Sequence, residues 1–112
     1  MTSREFLASL VPNAVVNWHV PSPPDDEYWG ECSNGVFTFT TTFDALSETE
    51  QRFIILHEYA HLITDDGGRH GNAFYANLTP ALLAAHSVPL SIARELEQLF
   101  PDSWYEDDAQ AA

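Results

Sequence analysis

The stretch Phe53 to Ile63 constrains this chain more than any other. Wound as a helix it is apolar on nearly every side, and a helix of that kind must be buried inside the domain. Yet it contains His57-Glu58-Tyr59-Ala60-His61, and two histidines and a glutamate are costly to bury without partners. Four residues apart on a helix, His57 and His61 project from one face about one turn apart. That spacing suits two imidazole nitrogens converging on one tetrahedral zinc ion. Glu58 lies beside them, placed to take a proton from a water that the metal activates. A metal ion and its water would satisfy all three side chains. The start of the helix is marked by Ser47-Glu48-Thr49-Glu50, which fits a capping box with Ser47 as N-cap and Glu50 three residues on. Asp65-Asp66-Gly67-Gly68 predicts its end, since glycines supply the left-handed geometry that a helix exit prefers.

A third metal ligand is expected from His70. Gly67 and Gly68 let the chain leave the helix and turn back, bringing a side chain opposite the His57–His61 pair. Three protein ligands leave a fourth position for water, which separates a catalytic zinc from a structural one. Asp65 and Asp66 are the rivals. Asp65 continues the stripe of His61, but it stands about 6 Å further along the axis and would have to reach back. Acidic residues at a helix C-terminus are mildly unfavourable with the helix dipole. That misfit suggests a further role, such as accepting a hydrogen bond from a ligand histidine.

His57-Glu58-Tyr59-Ala60-His61 followed by His70-Gly71-x-x-Phe74 resembles the zinc-peptidase core of SprT-like proteins and related small zincins. The resemblance covers about residues 44–78. It implies that His57, His61 and His70 bind Zn2+ and that Glu58 is the catalytic base. It also implies a minimal zincin-like domain in a small phage or bacterial metallopeptidase. The cysteine-rich zinc ribbon and basic surface of DNA-associated members have no counterpart in this sequence, so repair of DNA–protein crosslinks does not follow.

Charge narrows the partners. The 112 residues carry 17 acids against four arginines and no lysine, a formal net charge of −13. Such a surface repels phosphate backbones, so no nucleic acid is expected as partner, and anionic lipid is disfavoured in the same way. A basic peptide or protein substrate is compatible with it, and solubility alone would also account for it. Nothing at the start reads as a signal peptide, and no apolar run approaches membrane-spanning length. The expectation is a soluble, cytoplasmic protein. Its lone cysteine, Cys32, reads as an ordinary packed thiol in a strand or at its turn.

A chain of this length makes one modest core. One domain is expected over residues 1–100, with an acidic tail over 101–112 in which Trp104 and Tyr105 can pack back on the body. Ser3 to Leu10 reads as a short amphipathic helix. Ala14 to Val20 alternates as a half-buried strand, and Pro21 to Asp26 is a loop. Tyr28 to Cys32 and Val36 to Phe43 flank Asn34-Gly35, a strong hairpin signal. The expected fold is α+β: a small three-stranded antiparallel sheet packed on the motif helix, with further helices after it. One exposed strand edge is available to an extended peptide by strand addition. Beyond His70, a short helix over Asn72 to Leu78 precedes one that Thr79-Pro80 starts; a single helix kinked at Pro80 is the alternative. A last helix covers Pro89 to Phe100, with Leu90, Ala93, Leu96, Leu99 and Phe100 facing inward.

The remaining chemistry is less sharply marked. Arg69 and Tyr75 flank His70 and are the better candidates to stabilise a substrate oxyanion, ahead of Tyr59 and Tyr28. His19 and His86 read as a strand-surface residue and a helix-end residue. The function expected from the sequence is a zinc-dependent hydrolase, first of all a metallopeptidase. Hydrolysis of a non-peptide amide uses the same motif. From a different class, an acidic interaction module, phage-encoded and with a structural or vestigial metal, would share the charge and the small size.

Overall fold

A computed structural model describes residues 2–24, 27–64 and 72–97. The expected glycine exit at 65–68, the ligand candidates His70, Asp65 and Asp66, Arg69, the inward-facing Leu99 and Phe100, and the 101–112 tail lie outside the described residues.

Helix α1 (Ser3–Leu10) opens on a capping box that the sequence reading missed: Thr2 accepts from the Glu5 N–H at 3.1 Å and Glu5 accepts from the Thr2 N–H at 2.9 Å. It buries Phe6 and Leu7. Strand β1 (Val15–Val20) follows, with Val16, Trp18 and Val20 turned inward as its alternation predicts. Strands β2 (Gly30–Ser33) and β3 (Val36–Thr40) form the expected hairpin. Asn34 and Gly35 both take left-handed φ, 54° and 78°, the pair of values that a two-residue turn matched to strand twist requires.

Two details differ from expectation. The three-stranded sheet has the order β1-β3-β2, and β1 runs parallel to β3, so the sheet is mixed, not antiparallel throughout. The central place goes to the strand whose side chains need it most: Phe37 and Phe39 of β3 are fully buried, whereas β1 and β2 expose alternate residues. The second difference is the end of β3. It stops at Thr40 instead of running to Phe43, because the Thr40 hydroxyl accepts from the Phe43 N–H and N-caps a short helix α2 (Thr41–Asp44). The same hydroxyl faces the carbonyls of Tyr28 and Trp29. A threonine hydroxyl placed this way offers the backbone an alternative to the ladder. Phe43 still reaches the core, now from α2.

Helix α3 (Glu48–Ile63) is the spine. Its capping box is as predicted, with Ser47 accepting from the Glu50 N–H at 3.2 Å and Glu50 accepting from the Ser47 N–H at 2.9 Å. Phe53, Ile54, Ile55, Leu56 and Ala60 are fully buried, which accounts for a helix apolar all round. It packs against β2, α1 and the last helix, α6. After Thr64 and the undescribed segment come α4 (Asn72–Ala76), α5 (Pro80–Ala85) and α6 (Leu90–Glu97). Thr79, extended at ψ 157°, N-caps α5 and separates it from α4, so residues 72–85 form two helices and not one kinked at Pro80. Among the described residues, no helix is long and apolar enough to cross a membrane.

Candidate active site

The motif histidines lie on α3 as the spacing requires. Their ring centroids are 5.0 Å apart, nearly edge-on. His57 is 1% exposed, and Nδ1 of His61 is also buried. Phe74 on α4 fills the space beside both rings, with centroids 5.0 Å from His57 and 4.3 Å from His61. Thus the Phe of the His-Gly-x-x-Phe stretch serves as an apolar wall of the histidine pair.

Glu58 is 4% exposed and turns toward β2. It accepts a hydrogen bond from the backbone N–H of Cys32. Burial pushes its carboxyl well above the ordinary carboxylate value, and the like charges of Glu31 and Glu97 add to that, against the Cys32 N–H. Burial, then the charge of Glu58, raises the Cys32 thiol to about 11. The thiol is therefore protonated at neutral pH, which agrees with a packed residue and not a nucleophile. β2 pairs only with β3 among the described residues, so it is an edge strand, and this edge lies beside Glu58.

Glu97, at the end of α6, was not anticipated from the sequence. It is fully buried, with Oε1 3.1 Å from Nδ1 of His57. Tyr75 on α4 donates its hydroxyl to Oε2 at 3.4 Å. A signal existed: Leu90, Ala93 and Glu97 stand at i, i+3 and i+7, so the carboxylate falls on the inward stripe of α6. A glutamate on such a stripe needs a buried partner. Tyr75, a candidate for oxyanion stabilisation, turns its hydroxyl to this carboxylate instead.

The other histidines are elsewhere. His19 takes a left-handed φ of 58° where the β1–β3 register shifts between Asn17 and Val20. Its Nδ1 lies 2.7 Å from Asp44 and its Nε2 3.0 Å from Arg4. His86 caps the C-terminus of α5 and meets Phe6 edge-on. Tyr28 gives its backbone carbonyl to Thr40.

The arrangement suits a divalent cation. Two imidazoles one turn apart present nitrogen donors from one helix, and a carboxylate at Nδ1 of His57 is the partner a ligand histidine commonly has. Among the described residues, no three His, Cys, Asp or Glu side chains form a complete metal-holding group.

No protein-family model and no curated protein matches the chain. Among solved structures it is similar to the metallopeptidase zymogen of Pyrococcus abyssi abylysin, with a TM-score of 0.54 at 17% identity over 98% of this chain and 91% of that one. Two chains so different in sequence share architecture, and at that level the protein adopts a metallopeptidase-like fold.

Proposed function

We propose that the chain is a zinc-dependent hydrolase acting on peptides. The observation that carries this reading is the single buried helix face holding His57 and His61, with Glu58 next to them and a carboxylate behind His57. His57, His61 and His70 would hold the ion, His70 being the donor that the glycine loop and the SprT-like pattern supply. Zinc bound there would polarise a scissile carbonyl and lower the pKa of a water molecule. Glu58 accepts the proton of the attacking water and returns it to the leaving amine. An extended peptide laid along β2 would bring a backbone carbonyl next to Glu58. The net charge of −13 and the nearby Glu31 favour basic segments as substrate.

The test combines metal analysis with a peptide-library digest by wild type and Glu58→Gln. One zinc per chain, cleavage by wild type and none by Glu58→Gln, with zinc retained, is the expected outcome. Near wild-type turnover in Glu58→Gln would remove Glu58 from the base role. A zinc-loaded wild type that cleaves nothing in the library would favour the acidic interaction module.

A further inference from the structure

Two buried side chains of the site, Glu97 and Tyr75, take no direct part in the proton transfers of that chemistry. Both are deeply enclosed, at 0% and 5% exposed, and they come from helices α6 and α4, which flank α3. The Glu97 carboxylate bridges them, with one oxygen 3.1 Å from Nδ1 of His57 and the other 3.4 Å from the Tyr75 hydroxyl. A carboxylate at that distance accepts the imidazole proton's hydrogen bond, so the ring keeps its proton on Nδ1. Nε2 is then the unprotonated nitrogen, and the contact with Glu97 fixes the plane of the ring. A buried carboxylate needs further donors for its remaining lone pairs, and the Tyr75 hydroxyl supplies one. Phe74, the residue before Tyr75, stands against both ligand rings. The same turn of α4 therefore walls the histidines and anchors the carboxylate.

We infer that Glu97 and Tyr75 are positioning residues that fix His57 in the Nδ1-protonated tautomer and turn its Nε2 toward the metal position, so that α6 and α4 set metal affinity. This rests on the reading of His57 and His61 as metal ligands. Glu97 acts through His57, and Tyr75 acts through Glu97. Loss of the Glu97 charge weakens zinc binding by about 10–100-fold, the usual effect of removing a carboxylate behind a ligand histidine. Tyr75→Phe weakens it less, and adds little once Glu97 is already changed, because the two lie in series.

Two measurements test the arrangement. The first is the ring 15N–1H spectrum of metal-free wild type labelled at histidine. His57 should show a protonated Nδ1 and an unprotonated Nε2, and the opposite tautomer would overturn the proposal. The second is zinc affinity by competition with a chromogenic chelator in wild type, Glu97→Gln, Tyr75→Phe, the double variant and His57→Ala. Unchanged affinity in Glu97→Gln would overturn it. So would loss of zinc as complete as in His57→Ala, because Glu97 would then be a direct ligand. Should Glu97→Gln fail to fold, the wild-type spectrum still decides. Wild type that takes up no zinc would overturn the metal reading instead, and the ring spectrum, which needs no metal, tells the two failures apart.

Discussion

At the scale of single residues, the cost of Glu58 makes a prediction that needs no substrate. Its carboxyl is held well above the ordinary value of 4.5, first by burial. Below that value folded and unfolded chains are both protonated at this position. As pH rises through it, the unfolded chain releases the proton while folded Glu58 keeps it, so stability falls until the folded pKa is passed. Glutamine has no proton to lose. Metal-free Glu58→Gln should therefore melt higher than metal-free wild type at neutral pH, by a margin that shrinks as pH is lowered toward about 4. Thermal melts across that range check it, and a margin independent of pH would contradict it. The ligand question also belongs here. His70→Ala should sharply weaken zinc affinity, whereas Asp65→Ala and Asp66→Ala should have smaller effects. A structure with zinc on His57, His61 and an aspartate, and with His70 in solvent, would reverse that assignment.

At the scale of elements, Gly30 shows how tightly β2 is fitted. A Cβ there would stand 2.9 Å from both the Phe39 ring and the Thr38 carbonyl, and a backbone carbonyl cannot give way as a flexible side chain can. Gly30→Ala should cost about 1–3 kcal/mol, the range for overpacking, and urea melts would measure it. It should also shift the strand that faces Glu58. Local signals made some elements legible from sequence alone. The Ser47–Glu50 box and the Asn34-Gly35 turn are short-range chemistry, and both are formed as read. Where tertiary context decides, the sequence was silent. Thr40 ends β3 because its hydroxyl meets two carbonyls from the segment before β2, Tyr28 and Trp29, and caps α2 at the Phe43 N–H. The place of β3 between β1 and β2 follows from which face finds a core. Glu97 was hidden for a related reason: within Arg94-Glu95-Leu96-Glu97 it looks like one more solvated charge until α6 is laid against α3.

At the scale of the whole molecule, charge and assembly order matter most. A net charge of −13 on a chain of 112 residues repels itself more in the compact state than in the expanded one. Raising ionic strength from about 0.01 M to 0.15 M shortens the screening length from about 30 Å to 8 Å. The melting temperature should rise over that interval, and one that falls would mean that attractive pairs dominate, such as Arg52–Glu48 and His19–Asp44. Order of assembly follows from the contact between His57 and Glu97, which are 40 residues apart in the chain. Chains are synthesised at about 5–20 residues per second, so Glu97 is made about 2–8 s after His57. Until then the chain lacks the carboxylate that stands behind the first histidine. On the function proposed above, the first histidine of the motif would gain its supporting carboxylate only after the helix that carries it had been made.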